Sequence, residues 1–162
     1  MIIMVNNMGS AICVALWVVA TTPLAHLAMA AECESLKSLL LPNTQIESAE
    51  LVPPEKFAGR GGLPVEVTVS LCQVGGAIKP TPMSSVKFEV MMPATGWNGR
   101  FVQVGNGGLA GSIWTPVIAG QVSEGYAAAG TDDGSGPEGS LEWLSDRERV
   151  TDFGYRAVTL RR

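Results

Sequence analysis

Phe101-Val102-Gln103-Val104 is a short apolar run that empties into a glycine-dense loop, Gly105-Asn106-Gly107-Gly108-Leu109-Ala110-Gly111-Ser112. The residues after it change period. Pro116 fits only the first turn of a helix, Val117, Ile118 and Val122 supply an apolar side, and Gly125 suits a helix C-cap. Tyr126 to Gly130 then reads as a strand of small residues buried on both faces. Strand, loop, helix and strand at this spacing predict a right-handed parallel crossover. Such a loop turns backbone N–H groups toward a negative charge. Either a dinucleotide pyrophosphate or the oxyanion of an acyl-transfer intermediate can use it.

The dinucleotide reading rests on Gly105-x-Gly107-x-x-Ala110 and on Asp132 or Asp133 at the end of the next strand. It is the weaker of the two. The helix begins only near Ile113 or Trp114, so the third fingerprint position falls in the loop. The acyl-transfer reading needs only residues whose missing Cβ lets the backbone approach a tetrahedral oxyanion, and Gly107 and Gly108 meet that need. A plain glycine-rich connection between strand and helix is the alternative to both.

Upstream, Val65, Val67, Val69 and Leu71 alternate with Glu66, Thr68 and Ser70, which predicts one half-buried strand over Pro64 to Val74. A loop from Gly75 to Pro82 leads to a second alternating run, with Val86, Phe88, Val90 and Met92 on one side and Lys87 and Glu89 on the other. The two strands are expected to pair antiparallel. Cys33 to Leu41 reads as a short helix ended by Pro42, with Leu36, Leu39 and Leu40 on one side. Asn43 to Lys56 shows no clear period, and Gly59 to Gly62 is a flexible turn. Trp97 precedes the tight-turn pair Asn98-Gly99, and Thr151 or Asp152 is expected to cap a helix running to Arg162.

The N-terminus bears on compartment and chemistry together. Residues 1–31 contain no Asp, Glu, Lys or Arg, and Ala11 to Ala20 is an apolar core too short to span a bilayer comfortably. Ala28-Met29-Ala30 is a small-residue exit of the kind signal peptidase cleaves. The sequence therefore predicts a signal peptide over residues 1–30, a domain over 31–162, a secreted or periplasmic location, and no stable membrane insertion after cleavage. An uncleaved anchor and a buried core helix are the alternatives. Cys33 and Cys72 remain in the mature chain, where an oxidising compartment favours a bridge over two separate thiols. Closing a loop of about 40 residues contributes on the order of 3–4 kcal/mol. The single histidine, His26, lies inside the signal, so a Ser-His-Asp or Cys-His set cannot be completed in the mature residues. A net charge of −4 with no basic run argues against nucleic acid as a partner.

Several short motifs occur together: Trp97-Asn98-Gly99-Arg100-Phe101, the glycine loop through Ile113, Gly125-Tyr126-Ala127, Thr131-Asp132, and Asp152-Phe153-Gly154-Tyr155-Arg156-Ala157-Val158. In order and spacing they resemble the tannase/feruloyl esterase family, from about Cys33 to Val158. The resemblance implies a secreted serine esterase with an α/β-hydrolase core, a small-molecule aromatic ester as its ligand, and an N-terminal disulfide at Cys33 and Cys72. It also implies a lid domain that often binds calcium. No residues of that lid occur here, and neither a metal nor a cofactor is expected in this chain. The family's nucleophile elbow, acid and histidine lie downstream of the Asp152-Phe153-Gly154-Tyr155-Arg156 helix and have no counterpart in these residues. Ser135 and Thr159 stand where the family commonly has histidine. The expected product is thus an N-terminal portion cut short before the triad and without activity by itself.

The fold class expected is α/β: an incomplete α/β-hydrolase core with N-terminal antiparallel strands leading into a parallel β-α-β crossover. Gly107 and Gly108 are the oxyanion-hole candidates, and no catalytic residue is assigned. Trp97 and Trp114 flank the loop and are the pocket candidates, with packing as their plainer role. Ser112 lacks a base and reads as a helix N-cap, Asp132 and Asp133 as solvated turn acids with orienting loop groups or binding an ion as the alternative, and Arg156 as the partner of Asp152. A secreted, non-catalytic binding module on the same fold is the alternative to an esterase fragment.

Overall fold

The computed structural model describes residues 32–58, 64–109, 111–135 and 141–159. The signal predicted over residues 1–30 and the turn at 59–62 lie outside them. The strands are β1 (Thr44–Val52), β2 (Glu55–Ala58), β3 (Pro64–Val67), β4 (Leu71–Ile78), β5 (Val86–Pro93), β6 (Phe101–Gln103) and β7 (Ala127–Thr131). Five of them form a mixed sheet in the order β1-β4-β5-β7-β6, and β2 and β3 form a separate antiparallel ribbon. Neighbours in the sheet are antiparallel except β6 and β7, which are parallel. Helix α1 (Thr115–Ser123) joins that parallel pair, as the change of period predicts.

Each face of the sheet has its own core. On one, Ile118, Ala119 and Val122 of α1 pack against Leu71, Met91 and Ala128, with Val67 of the ribbon beside them. The small residues of β7 let the helix approach closely: a Cβ on Gly130 would lie 2.9 Å from Ile118 Cδ1. Gly125, at φ +85°, ends the helix region as expected, but Val117 is exposed where the period put it on the apolar side. On the other face Cys33, Ala49, Cys72 and Val74 gather with Phe88, Val90 and Met92 around them. Cys33 and Cys72 are disulfide-bonded, with Cα atoms 5.7 Å apart, so the bridge fastens the first helical turn to β4.

Four expectations change. The single strand over Pro64 to Val74 is two strands in two different sheets, broken at 68–70, where the chain leaves the ribbon and enters the main sheet. The loop expected at Gly75 is the continuation of β4 to Ile78. Its glycines serve close approach of neighbouring strands, because a Cβ on Gly76 would collide with the Gln45 carbonyl oxygen and come within 2.8 Å of the Phe88 ring. The aperiodic stretch after Asn43 is β1, the longest strand described. A register shift between Ile46 and Ser48 breaks the alternation, which returns Ile46 to the same face as Ala49 and Leu51. The first helix stops at Ser38, leaving Leu39, Leu40 and Leu41 exposed.

The C-terminal helical segment also begins earlier than expected. It comprises α2 (Arg147–Thr151), a π-helical turn (Asp152–Arg156) and α3 (Ala157–Thr159). Asp146 is its cap, accepting from the N–H groups of Glu148 and Arg149, and Asp152 is fully buried within the π turn.

Two predictions follow from this packing. Replacing both Cys33 and Cys72 by Ser is expected to lower stability in urea denaturation by about 3–4 kcal/mol, the chain-entropy cost for a loop of this length. Gly76→Ala is expected to cost ~3 kcal/mol by overpacking, whereas Gly154→Ala, whose Cβ would meet nothing within 4 Å, should be neutral or stabilising by up to about 1 kcal/mol. Equal effects at the two glycines would contradict the strand assignment of Gly76.

Candidate active site

Because β6 and β7 run parallel, their C-terminal ends meet at one edge of the sheet, and both following loops start there. The Val104 N–H donates to the Ala129 carbonyl at 2.8 Å, continuing the ladder to the threshold of the glycine loop. One residue into the loop, the Asn106 carboxamide donates to the Thr131 carbonyl at 2.8 Å and to Asp133 Oδ2 at 2.7 Å. Thr131 Oγ1 donates to Asp133 Oδ1 at 3.0 Å. Asp133 itself takes φ +56°, a conformation that Asp tolerates better than most side chains. The glycine loop is therefore fastened to the end of β7 through one carboxamide.

Gly108 has φ +64°, and a Cβ on Gly105 or Gly108 would meet no described atom within 4 Å. At Gly107 the nearest neighbour is the Trp114 ring, 3.8 Å from the Cβ position. Trp114 occupies the N-cap position of α1, and its carbonyl accepts from the N–H groups of Val117 and Ile118. Ser112, expected to cap that helix, lies two residues before the N-cap position, which Trp114 occupies. The fold thus brings Gly107, Gly108 and Trp114 together. Trp97 lies at the opposite edge of the sheet, its indole N–H donating to the Arg100 carbonyl while Asn98 bonds to Gly125 and Glu124 at the start of β7.

Asp132 and Asp133 are built into the edge, whereas a solvated turn was the expectation. Asp132 Oδ1 accepts from the N–H groups of Lys87 and Gly134, both at 2.9 Å, which ties the loop after β7 to the start of β5. Burial raises the Asp132 carboxyl above its ordinary 3.8, with the bonds from Gly134 and Lys87 acting in the opposite direction. Behind this loop, Ser84 Oγ and Arg156 Nη1 donate to Asp152 Oδ1 at 2.7 and 2.9 Å. Arg156 also reaches Glu148, which Thr81 bonds as well, and these contacts hold the Glu148 carboxyl below its ordinary value. The pairing of Arg156 with Asp152 is legible from their spacing. The contributions of Ser84 and Thr81, about 70 positions away in the chain, carry no sequence signal. A cleft of 450 Å³ opens beside the glycine loop, lined by Lys87, Gly111, Ile113, Asp132, Gly134 and Arg149. Among the described residues no three His, Cys, Asp or Glu side chains gather as metal ligands. Helix α1 starts at Thr115, so the helix that would face a pyrophosphate begins well after the glycines Gly105 and Gly107 of the dinucleotide reading.

A family model described as tannase and feruloyl esterase matches residues 72–162, more than half of the chain. The chain belongs to the tannase and feruloyl esterase family. It is 34% identical over 130 residues to an uncharacterized esterase of Xanthomonas campestris pv. campestris, covering 79% of this chain and 23% of that protein. It is 28% identical to a probable feruloyl esterase B-1 of Aspergillus oryzae, covering 79% of this chain and 25% of the relative. Its fold matches the crystal structure of feruloyl esterase B from Aspergillus oryzae with a TM-score of 0.69 at 29% identity, over 80% of this chain and 27% of that one. The chain spans about a quarter of the length of these family members.

The raised Asp132 carboxyl makes a signed prediction. A carboxyl that binds its proton more tightly when folded contributes stability that is fully present below the unfolded value and is lost as pH rises through the folded one. Asp132→Asn keeps an oxygen for the Lys87 and Gly134 N–H groups and removes that loss. The stability of the variant relative to the parent is expected to grow as pH rises above 3.8, then level off, in urea titrations at stepped pH. A difference that shrinks over the same range would contradict the burial of the carboxyl.

Proposed function

We propose that this chain is the N-terminal part of a secreted or periplasmic carboxylic ester hydrolase acting on esters of aromatic acids of the galloyl or feruloyl type. In this reading the sheet and α1 are the first half of an α/β-hydrolase core, preceded by a signal over residues 1–30, and the disulfide suits an oxidising compartment. The observation that carries the reading is the glycine loop itself. Gly107 and Gly108 follow Asn106, which anchors the loop at the C-terminal end of a parallel pair, and a Cβ on Gly108 would meet no described atom within 4 Å. N–H groups so placed stabilise the negative charge that grows on a carbonyl oxygen during attack, and their fixed position avoids reorganisation at that moment. Trp114, beside Gly107, offers an aromatic surface to the acyl ring.

The chain's own residues supply this electrostatic part of the mechanism, and with His26, in the expected signal, as its one histidine, no Ser-His-Asp or Cys-His set is assigned to it. Nucleophile, acid and base are assigned outside these 162 residues, so the chain alone is expected to leave methyl ferulate unhydrolysed. The decisive experiment substitutes residues 32–159 for the matching segment of feruloyl esterase B from Aspergillus oryzae and follows methyl ferulate turnover. The chimera is expected to be active. Gly108→Val, which forces a β-branched residue to φ +64°, should lower its kcat on the order of 100-fold with KM little changed. A folded chimera whose turnover ignores Gly108→Val would sink the oxyanion assignment. Saturable binding of a feruloyl glycoside by the native chain without a functional chimera would favour a non-catalytic binding module.

A further inference from the structure

We propose that Glu89 is a positioning residue for the Gly107 and Gly108 amides, acting through Thr115 and the Trp114 ring; the inference rests on the oxyanion reading of the loop. Glu89 lies on β5, the central strand of the sheet, and only 9% of its surface is exposed. In register it stands between Gly75 of β4 and Gly130 of β7, so neither neighbour in its row carries a side chain. A carboxylate buried in a sheet is costly unless its oxygens are met by donors. Here both are met: Gln73 Nε2 donates to Oε1, and Thr115 Oγ1 donates to Oε2 at 2.6 Å.

Thr115 is the first residue of α1, so the acceptor sits where a negative charge complements the helix dipole. The bond fixes the point at which the glycine loop becomes helix. Trp114 is the preceding residue, and its ring lies 3.8 Å from where a Cβ on Gly107 would stand. At the loop's other end Asn106 is held by Thr131 and Asp133. Asn106 and Thr115 are therefore two polar anchors, one before Gly107 and Gly108 and one after Trp114. Glu89 holds the end that carries the aromatic contact. Between the anchors, a Cβ on Gly108 would meet no described atom within 4 Å.

The test reads loop order in the full chain by 15N relaxation, which requires no turnover. In the parent, Gly107 and Gly108 are expected near the rigid-backbone order parameter of about 0.85. Thr115→Val keeps the shape of the side chain and deletes the hydroxyl; both glycines should then fall below about 0.6. The Met91 and Ala128 amides should stay rigid, and Thr115→Ser should restore the loop. Glu89→Ala is expected to act like Thr115→Val, and if it fails to fold, the threonine pair carries the test. A loop already below about 0.6 in the parent, or unchanged in Thr115→Val, would overturn the proposal. So would a loss of order shared with Met91 and Ala128. An ordered, Glu89-dependent loop in a chain whose chimera is inactive would fail the esterase reading and leave this one standing.

Discussion

The parallel pairing of β6 with β7 is the constraint on which the rest of the candidate site depends. Only three residues of β6 take part, yet their direction decides that the loop after Gln103 and the loop after Thr131 leave the sheet on the same side. An antiparallel pair would have sent them to opposite edges. Given that edge, one carboxamide suffices to join the loops, because Asn106 stands within hydrogen-bond reach of both Thr131 and Asp133. The helix between the strands is as necessary as the strands. A parallel return needs a crossover, and α1 supplies it while covering Leu71, Met91 and Ala128.

Polar groups, more than apolar ones, do the local fixing around this edge. Asp132 ties the loop after β7 to β5, Asp152 ties the C-terminal helical segment to the turn before β5, and Glu89 ties α1 to the sheet. Asp132 and Glu89 each accept two hydrogen bonds, and Asp152 accepts two on Oδ1, one of them from the Arg156 guanidinium, while its buried Oδ2 meets no donor among the described residues. Glycine loops bury little, so hydrophobic area cannot hold them. Directional bonds to a rigid sheet can, and they leave the amides on the open side available.

How far the sequence could be read depended on whether a segment's neighbours are near it in the chain. The crossover was legible because Pro116, Ile118, Val122 and Gly125 encode a helix and its end locally, and Ala127 to Ala129 encode a strand thin enough to lie beneath it. β1 was not legible, since a bulge near Ile46 breaks the period that marks a strand. Gly75 and Gly76 read as a loop because their purpose is to admit Ser48, the Gln45 carbonyl and the Phe88 ring, and those neighbours come from other strands. Leu39 and Leu40 looked like a helix face but are exposed among the described residues. Trp97 and Trp114 are both near the loop in sequence, yet β6 runs between Trp97 and the loop and carries the two to opposite edges.

By itself, the sequence determined the family through motifs in a fixed order, the strand-loop-helix unit through its change of period, and the pairing of Cys33 with Cys72. Tertiary structure decided the rest: that residues 64–74 divide between two sheets, that Asp132 and Asp133 are structural, and that Glu89 reaches Thr115. The physical reason is the same in each case. Local patterns report what a segment buries, whereas hydrogen bonds between strands and loops far apart in the chain depend on which edges the sheet brings together.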